Sequence, residues 1–286
     1  NYGNEVGGNT QIEYPIAGGN ISLYANGDIH GATSKQFISA WQAKMGSSDA
    51  QNTIPSAWGV NPALFEQNVG AFGGGEVTIN AGKDVVDLSV MMPTTGKQLG
   101  QASIDPATGS TINPNTGLPY FTTENNHLEV NGGGELHVNA GQLIKGGAYL
   151  LGKGSATLNA TRGIVGGSQF TQGPQILLGD STLEINSGGE VNLNGVSDAM
   201  TLSNVNQFFS YTPQSRLTVN ALSGNIYLGT DTSMIRGDDL LALNRAGDDV
   251  VTAIYPASLS ATAFGGTIQL DAISLYPVAN SQVSLL

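Results

Sequence analysis

Apolar and polar residues alternate in short bursts along this chain, and the bursts resemble one another. In "GGGEVTINAGKDV", from Gly73, Val77, Ile79 and Ala81 fall on one side of a period-two pattern while Thr78 and Asn80 fall on the other. "GGGELHVNAGQLI" repeats the arrangement from Gly132. Further copies are "TLNATRG" from Thr157, "LEINSGG" from Leu183 and "LTVNALSG" from Leu217, with looser versions in "ISLYANGDI" from Ile21 and "LSATAFGGTI" from Leu259. Segments this short with strict alternation predict β-strands with one buried face, because successive side chains of a strand point to opposite sides.

Between Val77, Leu136, Thr157, Leu183 and Leu217 the spacings are 59, 21, 26 and 34 residues. They predict one basic rung near twenty residues, carrying insertions of variable length, which is how a solenoid reads. An antiparallel sandwich would show Asn-Gly or Asp-Gly hairpin signals at short, even intervals. Here Gly-Gly pairs precede and Ala-Gly pairs follow most strands, which suits the repeated corners of a coil. The expected fold is therefore all-β, a parallel β-helix running continuously over 1–286, in which each rung pairs its backbone with its neighbours and stacked aliphatic residues fill the interior. The recurring Asn80, Asn139, Asn159, Asn186 and Asn220 then stack at one corner as a hydrogen-bonded ladder of amides, a reading preferred to the alternative of a polar binding stripe.

Two insertions interrupt the expected coil. Over about 32–70, "TSKQFISAWQAKMG" predicts a helix capped by Ser34 and closed by Gly46, with Phe37, Ile38, Trp41 and Met45 on one face. A second short helix is expected at "NPALFEQN", where Asn61 caps and Pro62 opens the first turn. Over about 93–126, "DPATGSTINPNTGLPY" is dense in turn residues and predicts a surface loop.

Composition adds limits to this pattern. Charged residues are only 11% of the chain and the net charge is −12, with the bases scattered singly, so nucleic acid and anionic membranes are poor partners. Cysteine is absent, which excludes disulfides, and no apolar run approaches the roughly 18 residues of a membrane helix. The polar opening "NYGNEVGGNT" and the mid-strand ending "SQVSLL" read as an internal piece of a longer protein, whose open ends are expected to associate end to end.

The runs "GGGEVTINAGKDVVDLSVMMPTTG", "FFSYTPQSRLTVNALSGNIYLG" and "IYPASLSATAFGGTIQLDAISLYP" resemble the repeat region of filamentous-haemagglutinin-like large exoproteins, the passengers of bacterial two-partner secretion. The resemblance covers about Gly18 to Leu286. It implies a right-handed coil, export through an outer-membrane secretion barrel, and a place secreted from or associated with the bacterial outer surface. It further implies a fibre that acts in attachment, biofilm or cell contact, with a glycan or protein receptor on host or bacterial surfaces; the loop and short-helix insertions are read from the residues above. The amino-terminal secretion domain of the family has no counterpart here; "NPNT" from Asn113 shares only Asn-Pro-Asn with its motifs.

Candidate chemistry is sparse. Arg236, Gly237 and Asp238 spell a tripeptide that some surface proteins present to integrins. Asp238, Asp239, Asp248 and Asp249, from two Gly-Asp-Asp repeats, present oxygen donors of the kind Ca²⁺ takes, though without the glycine-rich nonapeptide of Ca²⁺-binding rolls. Glu76 and Glu135 occupy equivalent strand positions, but no basic partner recurs beside them, so the chain reads as no enzyme and as needing no cofactor. His30, His127 and His137 are too dispersed for zinc spacing. Phe208, Phe209 and Tyr211 are read as a loop folded onto the coil in preference to a sugar-stacking platform. Sequons occur at Asn20 and Asn159. The expected role is a structural shaft, with a carbohydrate-binding or polysaccharide-cleaving coil, and a laterally self-associating fibre subunit, as the alternatives.

Overall fold

The structure, a computed structural model, describes residues 12–45, 57–99, 102–103, 120–121, 127–199, 210–231 and 253–286. It is all-β, and its long sheets are parallel. The chain winds through three stacked columns of strands, returning to each in turn, as a coil or solenoid does.

The first column is the long sheet. Its path runs through Ile21–Ala25, Glu76–Ala81, Gly134–Ala140, Ala148–Ala160, Gln175–Ser187, Arg216–Ala221, Ser258–Ala263 and Gln282–Leu285. Every pairing along that path is parallel, and one register connects it: Ile21, Val77, Leu136, Ala156, Leu183, Leu217, Leu259 and Val283 lie side by side. The third motif therefore enters at Ala156, one residue before the Thr157 start expected from the sequence, and the ladder spacing becomes 59, 20, 27 and 34 residues. Ala156 is small enough to be overlooked as a core residue, yet it is 4% exposed.

A second column stacks Ile29–His30, Val85–Val86, Leu143–Lys145, Gly163–Val165, Glu190–Leu193, Ile226–Leu228 and Ile268–Leu270. The third stacks Val69–Gly70, Val90–Met92, the first halves of the two long strands (148–151 and 175–178) and Gly195–Asp198. Val77, Ile79, Val85, Val138, Ile144, Leu158, Ile164, Ile185, Val191, Val219 and Ile226 are all fully buried within this triangle. Each such side chain contributes about 1.5–3 kcal/mol on leaving water. A slip of one residue would turn a whole column outward, so this interior fixes the register.

The third column is buried on both faces. Met91, Leu150 and Leu177 point away from the coil and are as inaccessible as their inward neighbours. A second apolar cluster covers them, built from Ile38, Trp41, Val60, Phe170 and Ala199 with Phe65 and Phe72 packed alongside. Continuous apolar runs such as "VMM", "AYLL" and "ILL" are the sequence signature of strands enclosed on both sides.

Much of that cover comes from the excursion over 32–70, which is not the helix that its spacing predicts. Ile38–Trp41 makes one 3-10 turn, and Gln42–Met45 then runs as a strand antiparallel to Ala57–Val60. Packing overrides local propensity here. Trp41 is fully buried, with its ring 5.4 Å from Phe65 and 5.7 Å from Phe72, and the backbone beyond it bonds across the new sheet. Ser34 Oγ accepts the Gln36 N–H at 3.1 Å, a local turn in place of a helix cap. Asn61 does cap, its Oδ1 accepting the Ala63 N–H at 3.1 Å, but the element it caps is the 3-10 turn Pro62–Leu64.

The expected loop over 93–126 is likewise strand at its start. Thr94–Leu99 pairs antiparallel with His127–Gly132 on one side and with Ala57–Val60 on the other, so both insertions join one small flanking sheet. The glycine triplets enter the long sheet from these excursions. Gly73–Gly75 and Gly132–Gly134 all hold positive φ, between 77° and 130°, a backbone open to glycine and strained for other residues.

Candidate functional site

With the third column roofed by the insertions, the outer face of the long sheet is the broad regular surface left open. Three polar columns cross it. One column contains Glu76, Glu135, Ser155, Thr182, Arg216 and Ser258; the next contains Thr78, His137, Thr157, Glu184, Thr218 and Ser260. The third is Tyr24, Asn80, Asn139, Asn159, Asn186, Asn220 and Thr262.

The asparagines form a one-directional chain. Asn139 Nδ2 donates to Asn80 Oδ1 at 2.9 Å, Asn159 to Asn139 at 2.8 Å, Asn186 to Asn159 at 3.1 Å, and Asn220 to Asn186 at 3.0 Å. Because each amide points the same way, the ladder has an N–H end at Asn80 and a carbonyl end at Asn220. Aligned amides polarise one another, so the middle bonds are strengthened by their neighbours. An Asn side chain carries two N–H groups and two lone pairs, and one of each serves an internal rung. Asn186 donates a further bond, to Glu184 Oε1 at 3.1 Å.

A groove follows the ladder. About 650 Å³ of it is lined by Asn80, Asn139, Asn159, Asn186 and Asn220 along one side and by the adjoining corner on the other; a further part of about 360 Å³ continues past Asn80 to Tyr24. The corner makes the trough. Directly after the strands come Gly82, Gly141, Thr161 and Gly188, then Leu222 and Phe264, so side chains are minimal along most of the trough and large at one end. The glycines are required by close stacking: a Cβ on Gly141 would lie 2.1 Å from the Gly82 carbonyl oxygen, and one on Gly188 would lie 2.0 Å from that of Thr161. Phe264 is 71% exposed, Leu222 68%, and Tyr24, at the opposite end, 72%.

Beyond that corner, acidic and amide side chains tie one rung to the next. Asp28 Oδ1 accepts the Asp84 N–H at 2.9 Å, Asp84 Oδ1 accepts the Leu143 N–H at 3.0 Å, and Asn225 Oδ1 accepts the Thr267 N–H at 2.9 Å. Asp84 also pairs with Lys145 Nζ at 2.6 Å. Partial burial pushes its carboxyl up, but the Lys145 and Leu143 hydrogen bonds with the positive charges of Lys145 and Arg162 outweigh this and hold it below its ordinary value.

The remaining sequence candidates are scattered. Glu76 and Glu135 do stand in register, yet each turns to its own neighbour: Glu76 accepts from Thr78 Oγ1 at 2.8 Å, and Glu135 lies 3.9 Å from His137. His30 belongs to the second column and His127 to the flanking sheet, so the three histidines do not meet. Asn20 Oδ1 accepts the Glu76 N–H at 3.0 Å, which makes that sequon residue a rung tie. Tyr211 is 3% exposed, donates to the Ile254 carbonyl at 2.9 Å and packs 5.7 Å from Tyr276, as the folded-in reading expects and contrary to a platform. Among the described residues no group of three or more His, Asp or Glu is placed to hold a metal. Arg236, Gly237, Asp238, Asp239, Asp248 and Asp249 lie outside the described residues, as do Phe208 and Phe209. The groove and its exposed aromatic ends were not evident from the motif, because Tyr24 and Phe264 enter only once the register places them beside it.

No family model matches the chain, and no curated protein or solved structure shows significant similarity to it.

Proposed function

We propose that this chain is a right-handed parallel β-helix that serves as a shaft segment of a large secreted bacterial surface fibre of the filamentous-haemagglutinin-like kind. Its work is mechanical: to hold other regions, and the receptor contacts they make, away from the cell after export through an outer-membrane barrel. The observation that carries this reading is the single register running through the long sheet from Ile21 to Val283 despite spacings as different as 20 and 59 residues. A chain that keeps its rungs aligned across such insertions holds its axis constant while its flanks vary. Stability then comes from neighbouring rungs sharing one core, as in other repeat architectures.

The test removes one turn in phase. Ala160 and Ser187 are register partners, so deleting 161–187 joins Ala160 to Gly188 and leaves the remaining Asn residues stacked. Displayed on bacteria, the shortened chain should fold, reach the surface and support the same attachment to host cells or to other bacteria as the intact chain. A folded, exported deletion that abolishes attachment would show that the segment is itself the contact and overturn the shaft reading.

A further inference from the structure

We infer that the groove along the amide ladder is a binding site for a neutral, extended glycan chain, a role that goes beyond that of a passive shaft. Three observations converge. First, in a protein of net charge −12, the residues lining both parts of the groove include no charged side chain. Such a trough neither attracts a polycation nor offers a counter-charge to a polyanion, and it suits a polyhydroxylated chain without charge.

Second, the floor presents hydrogen-bonding capacity at a fixed repeat. The ladder consumes one N–H and one lone pair of each inner amide, and on Asn139 and Asn159, which line the groove, the other N–H and lone pair take no partner among the described residues. Paired donors and acceptors at intervals of about 4.8 Å match hydroxyl groups, each of which both donates and accepts. Asn80 adds unused N–H groups at one end and Asn220 an unused carbonyl at the other, so the site distinguishes the two directions of a bound chain.

Third, exposed aromatic faces close both ends. Tyr24 and Phe264 are each more than two-thirds exposed beside a polar trough and give apolar faces on which sugar rings stack. They stand about six rung steps apart, or about 29 Å, a length for an oligosaccharide and not for a single sugar. The larger part alone, at about 650 Å³, lies within the range of ligand sites.

The purified chain is titrated calorimetrically with hexasaccharides of β-1,4-glucan, β-1,3-glucan and chitin, and with a hexagalacturonate as the charged counterpart. Binding of at least one neutral hexamer, with the galacturonate weaker, is expected. Phe264→Ala and Tyr24→Ala, both at exposed positions that leave the core intact, should each weaken it about fivefold or more. Thr161→Arg, placed mid-groove, should abolish it while circular dichroism remains unchanged. The inference is overturned if no neutral hexamer binds, if the galacturonate binds best, or if both aromatic variants bind as the parent does. The 161–187 deletion also removes Thr161, Asn186 and Ser187 from the groove, so Thr161→Arg, which keeps every rung, is displayed beside it: attachment kept by the displayed Thr161→Arg chain leaves the shaft standing whatever the calorimetry reads, and the calorimetry alone decides the groove.

Discussion

Asn159→Ala tests the ladder at its middle. The substitution removes two amide bonds, the 2.8 Å donation to Asn139 and the 3.1 Å acceptance from Asn186. Each is worth about 0.5–1.5 kcal/mol net. The amides left behind line an open groove, where water replaces the lost partners, so the full penalty for burying an unpaired group does not apply. The expected loss is therefore about 1–3 kcal/mol, against about half as much for Asn80→Ala, which removes one bond. Urea unfolding followed by circular dichroism reads the difference, with Thr218→Ala in the neighbouring polar column as the reference. Asn159→Asp sharpens the result, because a carboxylate meeting the Asn139 carbonyl oxygen cannot donate. Its folded-state pKa is raised, so its stability relative to the parent is greatest below about pH 4 and falls as pH rises. If Asn159→Ala and Asn80→Ala agree within about 0.3 kcal/mol, the loss does not follow the number of amide bonds and the stabilising role of the ladder is refuted.

Other outcomes rest on the same geometry. Leu158→Ala, at a fully buried position, should cost about 2–5 kcal/mol by the same unfolding assay. Asp84 is held below its ordinary value, so its contribution is present above about pH 4 and is lost as pH falls through the lowered folded value; Lys145→Met should flatten that acid limb in an unfolding series against pH. Burial raises the phenols of Tyr149, Tyr211 and Tyr255, with neighbouring carboxylates adding to the shift. Their stabilising effect is complete below about pH 10 and is lost above it, so in an ultraviolet alkaline titration these three of the nine tyrosines should ionise only with unfolding.

The long sheet was legible because its strands keep strict alternation and repeat an Asn at the same place. Where alternation fails, so does the reading. Val85–Val86 and its neighbours in the second column are only two to four residues long, too brief to establish a period. The third column gives unbroken apolar runs, since Met91, Leu150 and Leu177 face a cover whose position depends on contacts distant in sequence. Trp41 illustrates the same limit: its neighbours have helical spacing, but a pocket of Phe65 and Phe72 decides its conformation. The ladder residues could be named from sequence. The trough beside them could not, because it consists of what the corner glycines lack and of aromatic ends belonging to the two looser motif copies.

At the corner beside the ladder the chain turns in an almost constant number of residues. From Ala81 to Val85, from Ala140 to Ile144 and from Ala160 to Ile164 the turn takes the same three residues, and at Ala221–Ile226 it takes four, whereas the long excursions leave from the other two corners. Contour length is thereby uncoupled from chain length. Each turn advances the axis by about 4.8 Å whether it uses 20 residues or 59, so mass per unit length can vary nearly threefold along a thread whose spacing does not.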